Sequence, residues 1–439
     1  MSDPAWTLAN APMRRGQIVV VALCIALNML DGFDVLSISF AAPGIAAEWH
    51  VDKASLGTLL SMELLGMAAG SVLIGNAADR FGRRAIILGC LLVMALGMGG
   101  AAVAPGILSL SLARVGTGIG IGGMLSATSA MVAEFANDRR RPLAVTLNIA
   151  GFSAGAILGG IVVSAMQESL SWRSVFVFGT GATLVALPCA FALLPESPAY
   201  LLARRPGNAL ARINATLRRI GSPPLATLPH ANALRMKPSI GALFAPVYRS
   251  ATLLLTPAYF AQILLFYYVQ KWVPKIVVDM GFDTASAGRV LVGANVGNLA
   301  GALAIALASQ RWPVRPLVIA AMLAGVGAIA VFGLGFRSLP LLSVTVAVAA
   351  FFINAGVVGL YPVIAATFPA ELRAGGTGFV IGVGRGGSAL GPIVAGALFA
   401  SGHALLTVSL VMGLGGVIAA AMVALLPRVP PAGAGETGS

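Results

Sequence analysis

Long apolar stretches recur along the chain of 439 residues, and short segments that carry charged residues, Pro or Gly separate them. Each stretch reaches or approaches the roughly 20 residues that an α-helix needs to cross the hydrocarbon of a bilayer. Helices are expected rather than an open sheet, because backbone polar groups in hydrocarbon must be satisfied within their own segment. The pattern therefore predicts an all-α polytopic membrane protein with twelve transmembrane helices. The predicted spans are 17–43, 55–77, 84–103, 106–133, 143–166, 172–194, 250–276, 285–308, 314–335, 340–366, 374–400 and 403–426.

The spans divide into two sets of six. Residues 195–248 contain Arg and Pro but no sustained apolar run. We therefore predict an N-terminal six-helix bundle over 1–194, a cytoplasmic central linker over 195–248, and a C-terminal six-helix bundle with a short cytoplasmic tail over 249–439. The two sets also resemble each other, since Phe135-Ala-Asn-Asp-Arg-Arg140 and Phe368-Pro-Ala-Glu-Leu-Arg373, 233 residues apart, both lead into Gly-rich spans. A parallel repeat of two pseudo-symmetric bundles is typical of membrane carriers.

Composition and charge agree with residence in a membrane. Hydrophobic residues make up 58% of the chain and charged residues 10%, with a mean hydropathy of +0.92, whereas a soluble domain is roughly 25% charged. A formal charge of +13 would suggest a nucleic-acid partner in a soluble protein. Here most Lys and Arg residues fall in loops on one predicted side, which the positive-inside rule assigns to the cytoplasm. We expect a multi-pass protein of the cell (inner) membrane, surrounded by lipid, with both termini cytoplasmic and no nucleic-acid partner.

Charged residues inside the predicted spans are candidates for function, because a carboxylate at a helix centre costs roughly 2.5–3.5 kcal/mol on insertion scales. Asp31 and Asp34 of the first span lie on one helix face, where two close carboxylates tend to share a proton. Arg114 of the fourth span lies at a similar depth and could pair with Asp34. A static charge cluster that fixes helix packing is the alternative. Glu63 of the second span is a second candidate proton site, or else an outward-facing acid at the membrane interface.

Arg385 of the eleventh span is the candidate for binding an organic anion. It lies in Gly382-Val-Gly-Arg-Gly-Gly387. Glycines allow a ligand to approach the backbone closely, and a guanidinium offers a bidentate fork to a carboxylate.

Three further polar positions are candidates for substrate binding. Tyr267 belongs to the aromatic seventh span, and its ring would suit a planar substrate. The outermost aromatic residues of this span, with Lys271 and Lys275, fit an interfacial belt equally well, and Trp272 is left open between the two interpretations. Asn354 and Tyr361 of the tenth span could line the path, or they could make ordinary hydrogen bonds between helices.

The loop after the second span reads Gly75-Asn-Ala-Ala-Asp-Arg-Phe-Gly-Arg-Arg84, which resembles the G-x-x-x-D-R-x-G-R-R/K signature of the major facilitator superfamily. A short turn with one acid and three bases can clasp neighbouring helix ends, so its ion pairs can form and break during a rocking motion. The basic residues could instead serve only as topology anchors. The candidate gating residues are Gly75, Asp79, Arg80, Gly82, Arg83 and Arg84.

Three segments resemble the aromatic acid:proton symporter family within that superfamily. They are Asp31-Gly-Phe-Asp34, Trp272-Val-Pro274 and Gly384-Arg385-Gly-Gly387. The resemblance implies uptake of benzoate-like acids with protons, and it places the family's functional positions at Asp31, Asp34, Asp79, Arg83 and Arg385. Lys271 and Glu63 depart from the family, where those positions are usually uncharged.

We therefore predict a secondary active transporter that takes up a small, aromatic carboxylate by proton symport through alternating access, working as a monomer. A proton-coupled exporter of drugs or metabolites is the alternative, although Ala156 stands where the antiporter pattern of the fifth span has Pro. No enzyme activity, cofactor or metal site is expected, because His50, His230 and His403 lie in loops or at span ends without metal-ligand or triad spacing.

Overall fold

The computed structural model describes residues 11–228 and 240–427, which form fifteen α-helices and a short 3-10 helix over Ile240–Phe244. The helices of the first half are α1 (Arg15–Trp49), α2 (Lys53–Phe81), α3 (Arg83–Ala102), α4 (Ile107–Phe135), α5 (Arg141–Met166), α6 (Arg173–Leu193), α7 (Pro198–Arg204) and α8 (Ala209–Arg219). Those of the second half are α9 (Pro246–Asp279), α10 (Thr284–Ala308), α11 (Val314–Gly333), α12 (Leu339–Thr367), α13 (Ala370–Gly384), α14 (Gly386–Ala400) and α15 (Leu405–Ala424).

The predicted all-α architecture with twelve spans is confirmed. In the described part of the chain, twelve segments are long and apolar enough to cross a membrane, and one of them, Gly375–Ala400, combines α13 with α14. The structure adds α7 and α8, two short helices inside the predicted linker. It also interrupts the eleventh span at Arg385, which separates α13 from α14.

Polar side chains and one glycine explain where several helices begin or end. Asp52 accepts a hydrogen bond from the backbone N–H of Ser55 at 3.0 Å, and Asp283 accepts one from that of Ser286 at 2.8 Å. Such capping oxygens satisfy N–H groups that a helix start leaves without partners. Gly82 has φ +101°, a conformation that side chains rarely adopt, and it forms the sharp turn between α2 and α3.

The chain forms two compact units. The described residues within 1–49 and 62–234 form the first unit, and those within 50–61 and 235–439 form the second. Within the first unit α1 packs on α5, and α3 packs on α4 and α6. Within the second unit α9 packs on α14, and α11 packs on α12 and α15, so each unit repeats the same pairings.

Matching contacts in the two units give the register of the repeat. The guanidinium of Arg141 donates through Nε to the carbonyl of Ala133 at 2.9 Å, and that of Arg373 donates to the carbonyl of Ala365 at 3.0 Å. Both members of the second pair follow their counterparts by 232 residues. The predicted offset of 233, which aligned Arg140 with Arg373, is therefore one residue too long here. Matching the two hexapeptides by residue type places Arg140 opposite Arg373. The hydrogen bonds to the backbone instead place Arg141 opposite Arg373.

Glycines bring the backbones of α1 and α5 into contact. A Cβ atom on Gly155 would overlap the carbonyl group of Met29, and one on Gly32 would overlap that of Phe152. Small residues allow this close approach in membrane helices, where packing and hydrogen bonds rather than the hydrophobic effect hold helices together. This contact fixes which face of α1 packs on α5 and which faces turn toward other helices. The charged cluster described below depends on that orientation.

Candidate functional site

Four charged side chains lie close together inside the first unit. Asp31 and Asp34 belong to α1, Glu63 to α2 and Arg114 to α4, and none of them has any exposed surface. Ionisable side chains inside spanning helices are rare because their burial is costly, so they mark functional sites by default.

The guanidinium of Arg114 contacts residues of four other helices, α1, α2, α3 and α6. It forms an ion pair with Glu63, whose Oε1 lies 2.6 Å from Nη2. The same Nη2 donates to the backbone carbonyl of Asp34 at 2.9 Å, while Nη1 donates to the sulfur of Met98 at 2.9 Å. The ring of Phe176 lies 5.4 Å from the guanidinium carbon and completes a cation–π contact.

The carboxylate that pairs with Arg114 is therefore that of Glu63, whereas sequence analysis predicted Asp34. The packing of α2 on α4 explains the difference. Cβ atoms on Gly66 and Gly118 would overlap the backbone of the facing helix, so the two helices are in backbone contact at this level. Glu63 is thus brought directly to Arg114, and Asp34 contributes its carbonyl instead of its side chain. The alternative of an outward-facing interfacial Glu63 is wrong, since its side chain is fully buried.

The carboxyl groups of Asp31 and Asp34 differ from that of Glu63 in their contacts. Among the described residues, no hydrogen-bond donor reaches any of their four carboxylate oxygens. The backbone carbonyl of Asp34 does accept hydrogen bonds, from Ser37 Oγ at 2.7 Å and from Arg114. Both carboxyl groups are thus buried without a hydrogen-bond partner among the described residues, as is the Nε of Arg114. Buried polar groups of this kind call for a functional explanation.

The described residues contain no group of three or more His, Cys, Asp or Glu side chains placed to hold a metal ion.

In the second unit, the predicted substrate residues separate into two groups at different depths. Arg385 is half-buried where α13 meets α14, and it lies within electrostatic range of Tyr259. The hydroxyl of Tyr361, which is 38% exposed, lies 3.3 Å from that of Tyr259. A Cβ atom on Gly384 would contact the Tyr259 ring at 2.5 Å, so this glycine allows the close approach. Arg385 has no ion pair within the described part of the chain, which leaves its fork available to an anion.

Asn354 belongs to the second group. Its amide nitrogen donates to the backbone carbonyl of Asn298 at 2.7 Å, and the Asn298 amide donates to Gln270 at 3.1 Å. Gln270 in turn donates to Asn295 at 3.0 Å, and all four amides are at least 92% buried. Gln270 lies about 16 Å along α9 from Tyr259, at 1.5 Å per residue. Sequence analysis missed Asn295 and Asn298, although their i, i+3 spacing in an apolar span is a usable signal.

Lys271 and Trp272 of α9 are buried too completely for residues of an interfacial belt. Lys271 has no exposed surface and Trp272 has 1%. The indole N–H of Trp272 donates to the carbonyl of Pro392 at 3.0 Å. The interfacial interpretation of Lys271 is therefore wrong, and Trp272, which the sequence left open, lies in the protein interior. Tyr267 is half-buried, with its ring 5.2 Å from that of Phe266.

Two acids outside the predicted gating residues, Glu134 and Glu196, contact the gating motif. The carboxylate of Glu196 accepts hydrogen bonds from the backbone N–H groups of Arg83 at 2.9 Å and Arg84 at 3.3 Å. The side chain of Arg83 forms an ion pair with Glu134 at 3.1 Å, and that of Arg84 donates to the carbonyl of Phe191 at 2.9 Å. The ends of α2, α3, α4 and α6 are tied together in this way.

The other motif residues are located as follows. Gly82 forms the turn, and Arg80 is exposed, with its carbonyl accepting a hydrogen bond from Tyr200 at 3.0 Å. Gly75 and Asp79 belong to α2, but they lie outside the residues whose side chains the structure describes.

Comparison with known proteins agrees with this geometry. Residues 23–297 match the Major Facilitator Superfamily. The 4-hydroxybenzoate transporter PcaK of Pseudomonas putida is 31% identical over 87% of this chain and 86% of its own length. The gallate transporter of the same organism is 30% identical over 92% of this chain and 90% of its own length. An inward-open structure of the xylose transporter XylE from E. coli shares the fold, with a TM-score of 0.72 at 18% identity over 95% of this chain and 98% of that one. The chain therefore belongs to the major facilitator superfamily and is a transporter rather than an enzyme.

Proposed function

We propose that this protein imports a small aromatic carboxylate together with protons, by alternating access across the cell (inner) membrane. The observation that carries the proton coupling is the pair of fully buried carboxyl groups on Asp31 and Asp34, which have no hydrogen-bond partner among the described residues. The names of the relatives, which transport 4-hydroxybenzoate and gallate, support the substrate class.

Proton coupling also follows from the energetics of anion import. Moving one elementary charge across the membrane is worth about 2.3 kcal/mol per 100 mV, so a monoanion that enters a negatively charged interior alone moves uphill. One accompanying proton cancels that cost. Carboxyl groups held inside the membrane can bind such protons at one stage of the cycle and release them at another.

Arg385 is the residue that we propose for binding the substrate carboxylate. Its guanidinium is half-buried, has no ion pair in the described part of the chain, and lies within electrostatic range of Tyr259, whose hydroxyl is 3.3 Å from that of Tyr361. An anion bound there would meet a bidentate fork and two phenolic donors. Tyr267 and Asn354 would then line the path at other depths.

The loop between α2 and α3 is the proposed gate. Gly75, Asp79 and the basic residues Arg80, Arg83 and Arg84 would hold the cytoplasmic helix ends in one state and release them in another. The contacts from Glu196 and Glu134 to Arg83 support this role, since they can be broken without unfolding a helix. The topology that we propose places this loop, both termini and the α7–α8 segment in the cytoplasm. The functional unit would be a monomer surrounded by lipid.

Uptake of labelled 4-hydroxybenzoate into proteoliposomes tests the proposal. An inward pH gradient should drive accumulation, and Asp31→Asn should reduce it strongly at equal protein content. Asp52→Asn is the matched control, because Asp52 is an exposed capping acid that Asn can replace. Accumulation that does not depend on the pH gradient would refute the proposal. Accumulation only with the reversed pH gradient would identify an exporter.

A further inference from the structure

The charges buried in the first unit set the number of protons that the site holds. Arg114 and Glu63 neutralise each other across 2.6 Å. No buried cation remains at the site to balance Asp31 or Asp34, whose oxygens accept no hydrogen bond from any described residue. An ionised carboxylate that is buried without donors is destabilised by several kcal/mol.

The groups that face the two acids on the neighbouring helices do not change this balance. Asp31 lies within electrostatic range of the Cys90 thiol of α3, which carries no positive charge. Asp34 faces the pair formed by Arg114 and Glu63. The helices α5 and α6 turn glycine backbone toward this part of α1. Among the described residues, the cation that faces Asp34 is Arg114, and its charge is already balanced by Glu63 at 2.6 Å, so protonation is how each aspartate can remain buried.

We propose that the site holds two protons, one on Asp31 and one on Asp34, while Glu63 stays ionised as the counter-ion of Arg114. This inference rests on the proposed symport and extends it. One O–H bond forms on each aspartate with a proton from outside, and both bonds break when the protons leave to the interior. A monoanion that enters with two protons carries a net charge of plus one, so the membrane potential itself drives import.

Steady-state accumulation of labelled 4-hydroxybenzoate in proteoliposomes measures the number of protons. Valinomycin and potassium gradients set the potential, and buffers set the pH difference independently. With equal pH and an interior about 59 mV negative, two protons give about tenfold accumulation and one proton gives none. With no potential and one pH unit, two protons give about 100-fold accumulation and one gives about tenfold.

These results separate the inference from the function on which it rests. Accumulation that depends on the pH gradient but not on the membrane potential refutes the two-proton site and remains consistent with symport. No accumulation under either gradient overturns the symport itself. Asp31→Asn should remove one proton, so the 100-fold ratio falls to about tenfold and the potential loses its effect, whereas Asp52→Asn should retain both. If the potential still affects accumulation by Asp31→Asn, the assignment of one proton to Asp31 is contradicted. If that variant does not transport, the accumulation ratios of the wild-type protein decide between one and two protons.

Discussion

Replacing Arg114 with leucine should destabilise the protein by about 3–5 kcal/mol, because it leaves the buried carboxylate of Glu63 without its partner. The upper part of this range has a physical limit. In the variant, Glu63 can lose its unpaired negative charge by binding a proton. Protonating an ordinary glutamate at pH 7 costs about 3.7 kcal/mol. The Asp34 carbonyl also loses its hydrogen bond from Arg114, but it keeps the one from Ser37 Oγ at 2.7 Å, so this loss adds only about 1 kcal/mol.

The limit gives the prediction a pH dependence. The folded variant binds a proton at Glu63 that the unfolded chain releases at neutral pH, so its stability falls as the pH rises. Its deficit relative to wild type should therefore shrink by about 1.4 kcal/mol for each unit that the pH is lowered toward 5. Adding Glu63→Gln to Arg114→Leu should remove this pH dependence and recover most of the lost stability.

Unfolding in mixed micelles by titration with sodium dodecyl sulfate, followed by tryptophan fluorescence, measures these free energies. Arg173→Leu is the matched control, because Arg173 pairs with Glu48 at 2.7 Å at a site where both side chains are about one third or more exposed. An exposed pair of this kind contributes about 1 kcal/mol or less. An Arg114→Leu deficit below about 1 kcal/mol, or one that is the same at pH 6 and pH 8, would refute the reasoning.

Three further predictions concern helix packing, the gate and a helix cap. Gly155→Ala should lower stability by about 1–3 kcal/mol, since its Cβ overlaps Met29. Gly181→Ala, with open space around its Cβ, should raise it by about 0.5–1 kcal/mol in the same detergent assay. Glu196→Ala should cost about 1–3 kcal/mol because backbone donors lose their acceptor, and Glu196→Gln, which keeps that oxygen, should cost less than about 1 kcal/mol; equal losses would contradict this. Hydrogen bonds from the following turn hold the pKa of Asp283 below its ordinary value, so its cap stabilises at neutral pH and fades in acid. Asp283→Ala should thus cost about 1 kcal/mol at pH 7 and nothing well below pH 4, as unfolding measured at both pH values would reveal.

The spans could be predicted from sequence because length and apolar character are local properties. The same reasoning found Asp31, Asp34 and Arg385, since charged residues are rare enough in hydrocarbon to stand out individually. It did not find that α1 extends from Arg15 to Trp49, or that the eleventh span breaks at Arg385. The ends of helices depend on caps and turns as well as on apolar length, so their limits are less certain.

Partnerships between side chains were harder to predict, because they depend on distances between helices. The Arg114–Glu63 pair follows from the backbone contact of α2 with α4, which small residues allow at a level that the sequence alone does not give. The contacts of Glu134 and Glu196 with the gating motif were missed for another reason. Both acids lie at or beyond helix ends, where acidic residues are common, so neither stands out until the structure places it against Arg83.

The central claim is that an aromatic carboxylate and protons enter together. Proteoliposomes loaded with a pH-sensitive dye test it most directly, with equal pH on both sides at the start and valinomycin present to dissipate any potential. Addition of 4-hydroxybenzoate outside should acidify the interior at a rate that saturates with substrate, and Asp31→Asn, which keeps one of the two proposed proton sites, should slow this acidification. Saturable uptake of the labelled acid without any change of internal pH would contradict the account.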